Sequence, residues 1–134
     1  MKVVVDASVA VKWLVPEHGS DRAASLRTEE LFAPRLIRAE VANTLATLER
    51  RGELTATQAA EAFALFQDAP VRIMDTDEDL ERAALAMAIR LRHPVYDCIY
   101  LSLAERIDAT LVTADRRFVA TLVGDVAAAR AVTL

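Results

Sequence analysis

Short apolar runs alternate with amphipathic stretches along the whole chain. The first run, Val3–Val5, is bounded by Asp6 and predicts a short buried strand. Val71–Met74 and Thr110–Thr113 predict two further strands, and the tail from Val126 is expected to add a last short one. Runs this short are typical of strands buried inside a sheet rather than of core helices.

Between these runs, apolar residues recur at intervals of three and four, which predicts amphipathic helices. Thr55 followed by Gln58 has the pattern of a capping box, and Gly52 stands where a helix C-terminus favours glycine. Strands that alternate with helices of this length predict an α/β fold, a three-layer α/β/α sandwich around a central parallel sheet. The predicted helices are Ser8–Val15, Ser20–Arg27, about Leu36 to Arg51, Thr55–Gln67, Asp77 to the His93-Pro94 pair, Tyr96–Arg106 and Asp115–Val123.

The composition fits one compact domain over residues 1–134. The chain is 54% apolar, which is ample for a core of this size and excludes a disordered protein. No basic and apolar leader opens the chain, and no window of about 18 uncharged apolar residues occurs. We therefore expect a cytoplasmic protein that does not enter a membrane.

Any metal site in this chain is expected to use oxygen ligands. Cys98 is the single cysteine and is expected to be a small core residue, and only His18 and His93 carry imidazole groups. A zinc site built on Cys or His is therefore disfavoured. The net charge of -4 argues weakly against a nucleic-acid partner, but a metal ion bound by several acids would offset their charge.

Four carboxylates stand at positions that favour such a site. Asp6 and Asp115 lie just past the C-terminal ends of predicted strands, and that edge is where open parallel sheets bind ligands. Asp97 opens the helix that precedes the Asp115 strand, where the helix dipole favours an anion. Glu40 lies one turn into its helix, on the flank of the buried stripe.

Each of these acids also has an ordinary structural interpretation. Asp6, Asp97 and Asp115 could cap the helices that follow them, and Glu40 could be a solvated flank residue. Four carboxylates that converge without a cation would repel one another and raise each other's pKa. Mg²⁺ or Mn²⁺, hard ions that prefer oxygen ligands, are the simplest compensation.

Three segments of the chain carry a recognisable pattern in a fixed order and spacing. They are Val5-Asp6-Ala7-Ser8 leading to Lys12-Trp13, the stretch from Pro34 to Leu45 that contains Glu40, Val41 and Asn43, and the stretch from Tyr96-Asp97 through Ala104-Glu105 to Leu111-Val112-Thr113-Ala114-Asp115. Together these segments resemble PIN-domain ribonucleases, and specifically VapC-type toxins of type II toxin-antitoxin systems, over nearly the full length. Each segment alone is a weak signal, whereas their order and spacing together are specific.

The resemblance implies a single PIN domain and a Mg²⁺-dependent endoribonuclease that hydrolyses RNA phosphodiester bonds. It implies that Asp6, Glu40, Asp97 and Asp115 form a catalytic, metal-binding quartet. It also implies a homodimer that is neutralised by a cognate VapB-like antitoxin. In this mechanism the metal activates water, so no protein nucleophile is required.

Other polar residues near the quartet are candidates for supporting roles. Ser8 and Thr113 each lie two residues from a quartet aspartate, and Asn43 lies one turn from Glu40, where it could orient that carboxylate. Ser8 has a helix cap as its alternative role, and Asn43 has that of a polar surface residue.

Three arginines are candidates for contacts with the RNA backbone. Arg38, Arg116 and Arg117 neighbour quartet residues in sequence, although solvated surface charge is the commoner role of arginine. Arg116 and Arg117 also stand where some members of the resembled family carry further acids, so a fifth acidic ligand is not expected there.

Two other functions are compatible with parts of this pattern. Phosphoryl-accepting aspartate enzymes, such as haloacid-type phosphatases, also place an Asp after the first strand, but they need a paired acid beside it and a nearby lysine. Here Ala7 and Ser8 follow Asp6, and Lys2 and Lys12 are the only lysines, which disfavours that class. The second interpretation is a catalytically weak PIN domain that serves as an RNA- or protein-binding module, although none of the four acids is missing.

Overall fold

The centre of the molecule is a five-stranded, all-parallel sheet. The computed structural model describes residues 1–134, and its strands lie in the order β3-β2-β1-β4-β5. Because β1 is central and covered on both faces, its three valines are all buried. The strands are β1 (Lys2–Val5), β2 (Glu30–Pro34), β3 (Val71–Met74), β4 (Thr110–Thr113) and β5 (Ala131–Thr133).

Helices form the other layers of the molecule. They are α1 (Ala7–Leu14), α2 (Ser20–Ser25), α3 (Leu36–Arg50), α4 (Ala56–Gln67), α5 (Glu78–Leu91), α6 (Val95–Arg106) and α7 (Arg116–Thr121). Helices α1, α3 and α4 pack against one another, while α5 packs on α6 and α6 contacts β1, β2 and β4. The predicted α/β/α arrangement around a parallel sheet is confirmed. No helix is both long enough and apolar enough to cross a bilayer.

One strand was missed by the sequence prediction. Strand β2 contains only three consecutive apolar residues before Pro34, and the prediction left this segment unassigned. Proline is tolerated there because it is the last residue of the strand. The next hydrogen bond to β3 comes from Arg35 N, which donates to Met74 O at 3.0 Å. The strand is stabilised by its neighbours, since Leu31 pairs with Val3 on one side and with Val71 on the other.

Several element boundaries also differ from the prediction by one or two residues, as at the end of α2 and at both ends of α7. Helix α1 begins at Ala7 rather than Ser8, because Asp6 supplies the capping carboxylate. The tail forms a 3₁₀ helix over Val126–Arg130 before β5 begins at Ala131. The prediction of a buried, unpaired Cys98 is confirmed.

Candidate functional site

The carboxyl edge of the sheet brings the ends of β1 and β4 together. These strands are neighbours, and Val5 pairs with Val112. Asp6 follows β1 directly, and Asp115 follows β4 after one intervening residue, so both acids lie at this edge. Glu40 is the fifth residue of α3, and Asp97 is the third residue of α6.

Asp6 is the most enclosed of the four acids, with 9% of its surface exposed. Its Oδ1 accepts from Val9 N at 3.2 Å, which caps α1, and from Ser8 Oγ at 2.5 Å. Its Oδ2 accepts from Thr113 Oγ1 on β4. Burial raises the pKa of Asp6, these three hydrogen bonds oppose the rise, and the charge of Asp97 adds to it.

Hydrogen bonds connect Asp6 to the Asp115 segment. Thr113 Oγ1, which donates to Asp6, accepts from Asp115 N at 3.0 Å. Ser8 Oγ likewise accepts from Ala114 N at 3.0 Å while it donates to Asp6. Two hydroxyl groups therefore fix the turn after β4 against the turn after β1. The helix-cap role considered for Ser8 is filled by Asp6 instead.

Glu40 is half-buried and hydrogen-bonded across the site. Tyr100 OH on α6 donates to Glu40 Oε1 at 2.5 Å. Burial raises the pKa of Glu40, the Tyr100 hydrogen bond opposes this, and the charges of Asp6 and Asp97 raise it further. Burial and the Glu40 carboxylate also raise the pKa of Tyr100 well above its ordinary range, so the phenol is the donor.

Asp97 and Asp115 are each held through one oxygen. His93 Nε2 lies 2.6 Å from Asp97 Oδ2, and the His93 ring packs on Phe118 with ring centroids 4.7 Å apart. Asp115 Oδ1 accepts from Phe118 N at 3.0 Å and so caps α7. The capping role considered for Asp6 and Asp115 is therefore observed, whereas Asp97 lies inside its helix and contacts a side chain instead.

No lysine or arginine forms an ion pair with any of the four carboxylates at this edge, and the basic side chain in contact with them is His93, beside Asp97. The negative charges of Asp6, Glu40 and Asp97 act on one another, and no Lys or Arg lowers the pKa of Asp6 or Glu40. Lys12 Nζ points elsewhere, to Glu17 Oε1 at 3.2 Å and His18 O at 2.6 Å. Three acids in mutual electrostatic contact without a cation are costly to hold together.

The oxygens of these acids fit a hard divalent cation. Glu40, Asp97 and Asp115 each use one carboxylate oxygen for a protein hydrogen bond, which leaves the second oxygen available. The carboxylates do not form a complete metal-binding site in this arrangement, since no three His, Cys, Asp or Glu side chains are close enough together to bind one ion. Metal binding at this edge therefore requires the carboxylates to turn toward a shared centre.

The remaining sequence candidates are distributed around the site. Asn43 is exposed and makes no hydrogen bond to Glu40, whose partner is Tyr100. Arg116 lines a surface cavity of about 580 Å³ together with residues 16–22, which connect α1 to α2 and form the first turn of α2. Arg38 lines a different groove, beside Phe66 and Ile73, and Arg117 is exposed on α7.

Sequence reasoning missed Tyr100 and His93. A signal for both was present, because Tyr100 lies three residues after Asp97 and His93 four residues before it, the spacings at which neighbours meet on a helix. The sequence prediction places His93 at the end of a helix and disfavours it as a zinc ligand, and it places Tyr100 in the helix Tyr96–Arg106 without a role in the site. That Tyr100 contacts Glu40 depends on how the fold places α3 relative to α6, which spacing does not reveal.

Comparison with known proteins identifies the family. Residues 3–121 match the model of the PIN domain family. Ribonuclease VapC3 of Pyrobaculum aerophilum is 36% identical over 123 residues, which cover 87% of this chain and 92% of the relative.

Two solved structures share the fold. A toxin-antitoxin complex from Klebsiella pneumoniae aligns with a TM-score of 0.65 and 14% identity, covering 98% of this chain and 96% of that one. VapC20 of Mycobacterium tuberculosis, described as a sarcin-ricin loop cleaving toxin, aligns with a TM-score of 0.67 and 17% identity, covering 88% of this chain and 93% of that one. The family-model match and the 36% identity to VapC3 show that the chain belongs to the PIN-domain family, among the VapC ribonucleases.

Proposed function

We propose that this chain is a divalent-metal-dependent endoribonuclease toxin whose catalytic residues are Asp6, Glu40, Asp97 and Asp115. The observation that carries the proposal is the buried Asp6 carboxylate, whose pKa is raised by burial and by the charge of Asp97. It lies at the ligand-binding edge of a parallel sheet without a compensating basic group. A cation bound by oxygen ligands accounts for that arrangement, and Mg²⁺ or Mn²⁺ suits such ligands.

The protein's part in the reaction is to orient the four carboxylates and to bind the RNA beside them. Bound Mg²⁺ or Mn²⁺ would supply charge stabilisation on the attacked phosphate and a lowered pKa for the attacking water. Ser8 and Thr113 both donate to Asp6, so their hydroxyl groups orient this metal-binding carboxylate and are not available as nucleophiles. Tyr100 orients Glu40 in the same way, and His93 orients Asp97.

Arg116 is our proposal for the main contact with the RNA backbone. It directly follows Asp115 and lines a cavity that also holds Arg22 and His18 together with the acids Glu17 and Asp21, so the proposal rests on its position beside Asp115. Arg38 and Arg117 are proposed as secondary contacts. If Arg116 binds a phosphate, Arg116→Ala should weaken RNA binding across all sequences and reduce its salt dependence by about one charge.

The proposed partners are an RNA substrate, a cognate VapB-like antitoxin and a second copy of the chain. The Klebsiella pneumoniae structure that shares this fold is a toxin-antitoxin complex, which supports the antitoxin. Support for the homodimer comes from Leu85 and Ile89, which are exposed one turn apart on α5. We place the activity in the cytoplasm, where RNA substrates are present.

The direct test is incubation of the purified protein with total RNA and Mg²⁺ or Mn²⁺. Cleavage should occur with metal and should be lost in EDTA and in Asp6→Asn. Asp68→Asn is the matched control, because Asp68 is an exposed residue at the end of α4, and it should cut like wild type. Cleavage that persists in EDTA or in Asp6→Asn would contradict the proposal, whereas RNA binding without any cleavage would favour a binding module.

A further inference from the structure

A groove opens beside Glu40 and shares no lining residue with the Arg116 cavity. It has a volume of about 370 Å³, within the range of pockets that hold small ligands. Three of its residues, Leu36, Ala39 and Asn43, follow helical spacing on one face of α3. The groove is lined mainly by Ala7, Leu36, Ala39, Glu40, Asn43 and Tyr96.

Glu40 belongs both to this groove and to the proposed metal-binding quartet. Its Oε1 is held by Tyr100, and Ala7, on the groove wall, directly follows Asp6. A ligand in the groove therefore lies next to the place where the attacked phosphate is bound. One nucleotide can therefore contact both the groove and the carboxylates, through its base and its phosphate respectively.

The groove presents an exposed aromatic ring and an unused amide. Tyr96 is 58% exposed and stands directly before Asp97 on α6. Asn43 joins the helix hydrogen bonds through its backbone carbonyl, which accepts from Thr47 Oγ1 at 2.9 Å, and its side-chain amide is free to donate and to accept. Aromatic rings and amides are the groups that recognise unpaired bases, by stacking and by edge hydrogen bonds.

We propose that this groove binds one unpaired RNA base next to the cleaved bond, stacked on Tyr96 and contacted along its edge by Asn43. Leu36 and Ala39 contribute apolar surface to the same groove. A base paired inside a duplex cannot turn its face to the ring, so the substrate is a single-stranded segment or a loop. This inference rests on the proposed ribonuclease function and adds to it two specificity-determining residues, Tyr96 and Asn43.

The first experiment uses a pool of short single-stranded RNAs of randomised sequence, with Mn²⁺ and sequencing of the cut ends. Wild type should prefer certain nucleotides at one position beside the cut, and it should not cut the same RNAs annealed to their complements. Tyr96→Ala should flatten that preference and raise KM by roughly 10- to 100-fold, with a smaller effect on kcat. Tyr96→Phe retains the ring and should retain the preference. Asn43→Ala should alter which base is preferred.

Leu65→Ala is the control, because Leu65 is an exposed apolar residue on α4 with no part in the site. The nucleotide preference and KM of this variant should match wild type.

A second experiment measures stacking without cleavage, in the Asp6→Asn background. RNA that carries 2-aminopurine should lose fluorescence on binding, and Tyr96→Ala should abolish that loss while Tyr96→Phe keeps it.

The outcomes separate the two proposals. If wild type cuts RNA but Tyr96→Ala has the KM and nucleotide preference of wild type, the ribonuclease proposal is supported and the base-binding proposal is overturned. A protein segment is then the alternative occupant of the groove. If wild type cuts nothing, the ribonuclease proposal fails, and the fluorescence experiment alone decides the base site. Quenching that is the same in Tyr96→Ala and in its parent overturns it.

Discussion

Tyr100 offers a sharp test of whether Glu40 is a metal ligand. Its side chain is 1% exposed, and its hydroxyl donates to Glu40 Oε1. Tyr100→Phe removes the hydroxyl and retains the ring, so the packing of α6 is kept. Glu40 then loses the hydrogen bond that lowers its pKa, while burial and the neighbouring acids still raise it. The carboxylate should bind protons more readily and be oriented less firmly.

The size of the effect follows from that single contact. A hydrogen bond to a charged group contributes about 1.5–3 kcal/mol. Loss of a group that orients a metal ligand lowers metal affinity roughly 10- to 100-fold. We expect the Mn²⁺ concentration for half-maximal RNA cleavage to rise by that factor, with the maximal rate largely restored at saturating Mn²⁺. The defect should grow as the pH falls, because protons then compete with the metal for Glu40.

The assay is the rate of RNA cleavage over a Mn²⁺ series at two pH values. Tyr96→Phe is the matched control, since it removes the chain's other phenol hydroxyl, which contacts no carboxylate, and its Mn²⁺ dependence should match wild type. Thermal melting of each variant establishes that the fold is retained. If Tyr100→Phe melts near wild type and shows an unchanged Mn²⁺ dependence, Glu40 is not a metal ligand and the reasoning fails.

Four further predictions concern stability and reactivity. In EDTA, Asp6→Asn should melt a few degrees above wild type, because a neutral amide escapes the burial and repulsion that raise the pKa of Asp6, and Mn²⁺ should stabilise wild type only. Arg106 holds the pKa of Asp77 at about 2, below its ordinary 3.8, so the stability gained from this ion pair should be present above the ordinary pKa and lost as the pH falls through the lower one. Asp77→Asn should therefore melt lower than wild type at neutral pH, and the difference should vanish in strong acid. Ser102→Ala should be neutral or stabilising in urea unfolding, because the buried Ser102 hydroxyl makes no hydrogen bond. Cys98 should resist thiol reagents at neutral pH until the protein unfolds, since burial raises its pKa to about 11, and rapid labelling of the native protein would contradict its buried position.

Local patterns predicted most of the fold because most helices and strands have apolar spacing or end signals within their own residues. Strands β1 and β4 contain short apolar runs with clear ends, and β3 directly follows Pro70. The capping box of Thr55 and Gln58 marks the start of α4 as predicted. Strand β2 was missed because it has a short apolar run and a terminal proline. Its burial comes from pairing with β1 and β3, which are distant in sequence.

The same distinction applies to the candidate site. The positions of Asp6 and Asp115 followed from the rule that parallel strands end at one edge, and the structure places both there. Glu40 was assigned from the family resemblance, because nothing local distinguishes it from a solvated acid. Its contact with Tyr100 joins residues 60 apart and depends on how the fold places α3 relative to α6. Side-chain contacts between elements are the part that sequence patterns do not specify.

The central claim is that the four carboxylates share a divalent metal, and anomalous scattering from a crystal soaked in Mn²⁺ tests it most directly. We expect an anomalous peak at the carboxyl edge of β1 and β4, within coordination distance of oxygens from Asp6, Glu40, Asp97 and Asp115. The same soak of an Asp6→Asn crystal should lose or weaken that peak. An occupied Mn²⁺ site elsewhere on the chain, with none at this edge, would contradict the account.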